Sequence, residues 1–397
     1  MMFTVLLAVV ELVSPVNDEE VRLLPENQRA VLKLETLEER KALFAKDMEN
    51  GKIIRHGQWR ESVPLELKWR ATAGEYGPWL VEIGKKPDLS DAKFYTWVRN
   101  GVETNIVHHV RTGNFEIATK YYWRVTPDYY CDKWGHGRTC DCPGRLTQAQ
   151  SAIGSFTTED LAPRWIKIEG RVGNFRDLGG RIGLNGRRVK QNMVFRSQGL
   201  NDNSPDGVML RGRNRLTMED KRYLVDELGI KTDLDLRSPR EVVGMNGVSP
   251  LGFEVKYINH SSCDYSRIFE EHGKKVMAEN FRVFCDRANY PILFHCIAGA
   301  DRTGALAYVL NGVLGVKRGE IETDWESTFY PNIPEFNNGK PGELSWNSEQ
   351  RFNIGFGKFG DENSTWNDRV VLYLKSCGIT DEEIETFRSI MLEDQTK

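Results

Sequence analysis

The stretch FHCIAGADRTGAL, residues 294–306, places one thiol, one guanidinium and a run of small residues within a few positions. Cys296 closes a short continuous apolar run, YPILFHC (290–296), of the kind a strand buried on both faces carries. Thr303 and Gly304 then open an apolar helical pattern, TGALAYVLNGVLGV (303–316). A loop that leaves a strand and enters a helix turns several backbone N–H groups inward. With the helix N-terminus these groups form a nest for an anion. Gly299, between Ala298 and Ala300, lets that loop curl tightly after Ile297. Arg302 adds a planar fork that can grip two oxygens at once. The same positive surroundings favour the thiolate form of Cys296. A nucleophile inside an anion cradle is arranged for covalent phosphoryl transfer, from substrate to sulfur and then to water. Thr303 can donate its hydroxyl to the sulfur, and His295 organises the loop by hydrogen bonds. The competing reading of Cys296 is a core cysteine at a strand end, against which the spacing of Gly299, Arg302, Thr303 and Gly304 counts.

A proton must reach the leaving oxygen, so a carboxylic acid is needed nearby. Asp301 inside the loop, Asp235 in LDLR and Asp264 in SCDYSR are the candidates. Each could equally hold a neighbouring arginine. Arg176, Arg196 and Arg237 could feed a positive pocket, although structural ion pairs suit Arg196 and Arg237 better.

These residues need elements to position them. From about 10 to 158 the chain alternates like strands: LELKWRAT (65–72), WLVEIGKK (79–86), FYTWVRN (94–100), NIVHHV (105–110), KYYWRVTP (120–127) and AIGSFTT (152–158). A charged helical stretch, residues 26–51, reads as an insertion or lid in that half. After TTEDLAPRW (157–165) the pattern changes. TMEDKRYLVDELGI (217–230) is a helix capped by Thr217 and stopped at Gly229. KTDLDLR (231–237) and EVKYINH (254–260) read as strands, and KKVMAENFRVFCDRA (274–288) as a helix. Alternating strands and helices imply a mainly parallel sheet with helices on both sides, and sites at the carboxyl ends of its strands. Cys296 stands at such an end.

The motif from His295 to Gly304 resembles the H-C-x5-R-[ST]-G signature of the cysteine-dependent protein tyrosine phosphatase superfamily. GNFRDLGG (173–180), VFRSQGL (194–200), DLDLRSPREV (233–242) and EIETDWESTF (320–329) are similar to its bacterial tyrosine-phosphatase-like branch, which includes lipid-active members. The resemblance implies an α/β phosphatase domain over 165–397. It assigns Cys296 as nucleophile, Arg302 as phosphate clamp, and residues 295–300 with Thr303 and Arg176 as the phosphate-binding set. It narrows the general acid to Asp301 or Asp235, and it implies no metal and no organic cofactor. Members that favour phosphoinositides often carry a lysine where this chain has Ala300. A phosphotyrosine or dual-specificity substrate, on a protein or a small phosphomonoester, is therefore expected ahead of a lipid. An inactive phospho-ligand binder and a sulfur-transfer enzyme are the rivals. Residues 10–158 resemble a fibronectin type III sandwich, carried by FEIATKYYWRV (115–125) and AIGSFTTED (152–160). Tyr121 would be its corner tyrosine and Trp69 its buried strand tryptophan. Such a domain implies binding or positioning of a partner, and by analogy an extracytoplasmic bacterial setting.

Composition excludes some classes. Lys and Arg number 54 against 57 Asp and Glu, a net charge of −3, so nucleic acid is not the default partner. The apolar run MMFTVLLAVV stops at Glu11, short of the ~20 residues of a spanning helix. It reads either as a first strand or as a signal remnant that lacks a leading Lys or Arg. Cys131, Cys140 and Cys142 match no common zinc spacing, and a disulfide or free thiols fit them better. GFGKFG (355–360) satisfies a dinucleotide pattern but follows no strand, so it reads as a loop. His108 and His109 are adjacent in a strand and face opposite sides.

Overall fold

A computed structural model describes residues 10–49, 63–71, 79–98, 105–110, 114–127, 151–201, 215–328 and 343–394. Cys131, Cys140 and Cys142 lie outside them. The chain divides into two compact units, residues 1–23 with 63–160 and residues 24–62 with 161–397.

The first unit is built of strands. β1 (Val10–Ser14), β3 (Leu65–Ala71) and β6 (Asn105–Val110) form one sheet in the order β1-β3-β6. β2 (Glu19–Val21), β4 (Trp79–Gly84), β5 (Lys93–Val98), β7 (Lys120–Pro127) and β8 (Gly154–Thr158) form another, ordered β2-β8-β7-β4-β5. Alternation decides which side chains face inward: Leu65, Leu67, Trp69 and Ala71 on β3 are buried while Glu66 and Arg70 are exposed. Trp69 meets Trp79 of the other sheet edge to face at 6.2 Å. Tyr121 is buried, and its hydroxyl accepts the Glu116 N–H at 2.9 Å. His108 and His109 lie side by side on β6, one half-buried and one exposed, as alternation requires.

The helical stretch expected as an insertion in this half packs instead within the second unit. α1 (Glu26–Leu32) and α2 (Leu37–Glu49) lie, in chain order, between β2 and β3. The reason is Arg40. Its side chain is fully buried and ion-paired to Glu322 and Glu326 of the second unit, both at 2.8–2.9 Å. A buried guanidinium is stable only beside its counter-ions, so the helix goes where the carboxylates are.

In the second unit, β9 (Arg176–Asp177), β10 (Val194–Ser197), β11 (Thr232–Asp235), β12 (Lys256–Asn259) and β13 (Ile292–His295) form a sheet ordered β12-β11-β13-β10-β9. β10 and β11 flank β13 in parallel register, β12 pairs parallel with β11, and β9 closes the other edge antiparallel to β10. β13, the central strand, is buried at all four residues, as its unbroken apolar run predicts. The helices α3 (Met218–Arg222), α4 (Glu271–Val283), α5 (Asp301–Val313), α6 (Arg318–Ser327), α7 (Glu343–Phe356), α8 (Trp366–Ser376) and α9 (Asp381–Met391) complete the unit. α3 starts in a capping box of Thr217 with Asp220, and the turn at Gly229 has φ +68°. α5 is buried along nearly its whole length. Its Gly304 is packed so closely against Trp325 of α6 that a Cβ would lie 2.3 Å from the ring. GFGKFG falls at the end of α7 and the turn after it, with φ +76° at Gly360, so it cradles no dinucleotide at a strand end. No helix among the described residues is long and apolar enough to cross a membrane.

Candidate active site

The loop from Cys296 to Ala300 joins the carboxyl end of β13 to the first turn of α5. Gly299 has φ +66°, and a Cβ there would meet the Ser197 carbonyl oxygen at 2.4 Å. Both facts demand glycine. The loop's carbonyls from Cys296 to Gly299 each lie beside a neighbouring polar group. The Cys296 carbonyl lies 3.2 Å from His295 Nδ1, and Ile297 O accepts the Gly199 amide at 3.0 Å. Gly299 O accepts from Asn174 Nδ2 at 2.8 Å and from Arg196 Nη2 at 2.7 Å. No amide from Ile297 to Ala300 donates to a backbone carbonyl. Left without such bonds, those amides lie beside the helix N-terminus, where an anion would sit.

Cys296 is 2 % exposed. Its sulfur is close enough to Arg302 and Arg196 to act on both guanidiniums electrostatically. Arg302 is oriented by Glu241, whose carboxylate accepts from Nη1 at 2.6 Å and from Nη2 at 3.0 Å. Burial pushes the Glu241 carboxyl up, but its bonds from Arg302 and Ser238 hold it down at about 2. Burial pulls Arg302 down, and Glu241 and Cys296 more than reverse that. The pair thus keeps Arg302 charged and aimed. With a longer Nη1 bond to the Leu236 carbonyl at 3.5 Å, three of its five N–H groups are taken, and two are left for an anion. Ile297 is the partly exposed apolar side chain of the loop, while Ala298 and Ala300 are buried. Thr303 Oγ1 is buried without a hydrogen-bond partner. The bond expected from it to the Cys296 sulfur is therefore not made in this state.

The two acid candidates have different surroundings. Asp301 is half-buried at the first position of α5. Burial raises its carboxyl above the usual value and Asp264 adds to this, against a smaller lowering by Arg302. Asp235 is fully buried, clasped by Arg237 Nε at 2.8 and 3.0 Å and by the Tyr257 hydroxyl at 3.0 Å. Burial pushes its carboxyl up, but His295 and Arg237 overcome this and hold it low. An ionised, enclosed carboxylate has no proton to give, so the structure sets Asp235 to hold Arg237 and His295. His295 sits between Asp233 (2.9 Å) and Asp235 (3.8 Å). Burial lowers it, and the carboxylates raise it above its ordinary value.

Arg176, expected to touch substrate, does not line the cradle. It is fully buried and its nitrogens bind Asp324, Asn174 and Thr328. Asp324 on α6 is the hub of this layer, paired at 2.9 Å with Arg176, 3.1 Å with Arg181 and 2.7 Å with Arg196. Burial pushes its carboxyl up, and Arg176, Arg196 and Arg181 together drive it far below the ordinary carboxylate range. Arg196, pulled down to about 9 by burial and by Arg176, carries the link from Asp324 to the loop carbonyl. Asn174, Glu241, Asp233 and Asp324 were not among the sequence candidates. Their motifs were visible, but nothing in them says which carboxylate faces which arginine.

Residues 166–341 match the model of the tyrosine phosphatase family. A Cupriavidus necator protein named as a candidate tyrosine-protein phosphatase is 27 % identical over 204 residues, 44 % of this chain and 69 % of that one. Two solved structures of the Siw14 catalytic core are also similar. One, of the PP-IP phosphatase from S. cerevisiae with citrate, is 20 % identical, covering 41 % of this chain and 86 % of that chain at a TM-score of 0.26. The other is 18 % identical, covering 42 % and 91 %, at a TM-score of 0.25. TM-scores this low decide neither fold nor substrate. The family match supports a phosphatase, and the cradle described above lies wholly inside the matched tyrosine phosphatase segment.

Proposed function

We propose that the second unit hydrolyses phosphomonoesters through a cysteinyl-phosphate. The observation that carries this is the loop after β13, whose carbonyls are engaged by neighbouring groups while its amides from 297 to 300 make no backbone bond, and which leads into the helical turn that supplies Arg302. The amides and Arg302 bind the three equatorial oxygens, and the Cys296 thiolate attacks phosphorus. The S–P bond forms as the ester P–O bond breaks, and the leaving oxygen takes the Asp301 proton. A water then gives its proton to the Asp301 carboxylate and attacks phosphorus. The S–P bond breaks, the thiolate is restored and phosphate leaves. The substrate we favour is phosphotyrosine, with dual specificity as a variant. Ala300 supplies no cation for a second phosphate, which counts against a phosphoinositide. The first unit we read as a fibronectin type III-like sandwich. The sheet orders and the Tyr121 hydroxyl bond to the Glu116 amide support that reading.

Phosphate release from p-nitrophenyl phosphate, phosphotyrosine and phosphoserine peptides and phosphoinositide vesicles tests this, with thiosulfate and cyanide as a sulfur-transfer arm. Turnover highest on the phosphotyrosine peptide is expected. Thiocyanate formation without phosphate release would overturn the assignment, and binding without turnover would favour the inactive binder.

Asp301→Asn checks the acid. On phosphotyrosine kcat should fall roughly 10²–10³-fold. On p-nitrophenyl phosphate, whose leaving group needs little help, the loss should be much smaller. The wild-type kcat should decline as pH rises through the raised Asp301 value, and this alkaline limb should vanish in the variant. A variant with full phosphotyrosine activity and an intact alkaline limb excludes Asp301.

A further inference from the structure

α6 presents two different charged faces. Glu322 and Glu326 are one helical turn apart and share a side, while Asp324, two residues from each, is turned about 200° away. On the Asp324 side lie Arg176, Arg181 and Arg196, and Arg196 reaches on to the Gly299 carbonyl of the phosphate loop. Trp325 of the same helix packs under Gly304, at the start of α5. α6 therefore fixes both the carbonyl edge of the loop and the helix turn that carries Arg302. On its other side the two buried glutamates meet Arg40 of α2, at 2.9 Å from Nη2 to Glu322 and 2.8 Å from Nε to Glu326. The backbone also meets there: a Cβ on Gly319, near the start of α6, would lie 2.4 Å from the Glu35 carbonyl oxygen. Arg40 and Glu35 precede the matched tyrosine phosphatase segment, which begins at residue 166.

We propose that Arg40 is a positioning residue for the phosphate loop, acting through α6, and that residues 24–49 are a strap this chain adds to its catalytic unit. The catalytic part of this inference rests on the phosphatase reading above. The strap sets α6 from behind, α6 sets Asp324 and Trp325, and these set the amides of 297–300 and the guanidinium of Arg302. Displacing a catalytic group by about 1 Å from a distance can cost on the order of 100-fold in rate. The strap also has a topological consequence. Because it falls between β2 and β3 in sequence, the catalytic unit is finished by a segment that the chain supplies from within its first unit.

The test uses the full chain at a temperature well below the unfolding of each variant. Arg40→Met should lower kcat on p-nitrophenyl phosphate by roughly tenfold or more and raise KM. Amide hydrogen exchange at 297–303 should quicken, although the ion pairs of Arg40 are to Glu322 and Glu326 of α6. Arg318 still pairs with Glu322 at 2.7 Å, so Arg40→Met strands Glu326, and adding Glu326→Gln should restore most of kcat. Arg40→Lys, with one ammonium for two carboxylates, should fall between wild type and Arg40→Met. If Arg40→Met does not fold, Gly319→Ala supplies the same displacement, by wedging α6 from the Glu35 backbone, with the same two readouts. Unchanged kcat in folded protein, with exchange altered only in 24–49 and 318–328, would overturn the proposal and leave a merely structural ion pair. If wild type turns over no phosphomonoester, the functional reading fails by itself, and faster exchange at 297–303 still reports the strap.

Discussion

Cys296→Ser is expected to abolish phosphate release, by roughly 10⁴-fold or more in kcat, while inorganic phosphate and phosphotyrosine peptide still bind. In the proposed mechanism this removes the covalent step, and among the described residues neither His295 nor Asp235 is placed to supply it. His295 is enclosed by Asp233 and Asp235, and Asp235 is clasped by Arg237. Binding survives because the cradle is backbone. The bonds from Gly199, Asn174 and Arg196 to the loop carbonyls do not involve the thiol. The pair of measurements is single-turnover phosphate release and peptide binding by calorimetry. A serine variant that turns over within tenfold of wild type would exclude a cysteinyl-phosphate. One that neither binds nor turns over would point to a collapsed loop, which amide exchange at 297–303 would reveal.

Asp324→Asn is expected to have the largest effect on stability. Arg176, Arg181 and Arg196 are all at most 2 % exposed and share this one carboxylate. Neutralising it strands buried positive charge, which typically costs about 3–5 kcal/mol. For a unit of this size that lowers the unfolding temperature by roughly 6–20 °C. The sign of the pH effect follows from the direction of its shift. A carboxyl held below its unfolded value contributes stability that is fully present above about pH 4. That contribution is lost as pH falls through the folded value. Wild type should therefore lose stability in acid more steeply than Asp324→Asn. Calorimetry of the full chain, following the transition of the second unit between pH 7 and pH 3, checks both. A variant melting within a degree of wild type, with the same acid slope, would show that the three arginines do not depend on Asp324.

The reach of the sequence is clearest at the loop. Apolar continuity over 290–296 fixed β13 as a buried strand, and the glycine after it could only be a tight turn. Thiol, glycine and guanidinium then sit where a phosphate cradle needs them, because a strand–loop–helix junction has few geometries. Local codes also gave the capped start of α3, the alternating β3 and the inward tryptophan of the first unit. These features depend on near neighbours, within which sequence distance and spatial distance agree.

Pairing of charges does not have that property. Asp301 and Asp235 are both aspartates within two residues of an arginine, yet one is half-buried at a helix start and the other sealed against Arg237. Arg176 looked like a substrate contact until Asp324, 148 residues away, took its side chain. Arg40 lay in a charged stretch that read as an insertion in the first half, and its partners lie 282 and 286 residues on. A buried ion goes wherever its counter-ion is, and only the folded chain brings those two addresses together. What the sequence by itself determined is the strand–loop–helix junction and the thiol it carries; the tertiary structure alone decided which carboxylates keep the arginines around it in place.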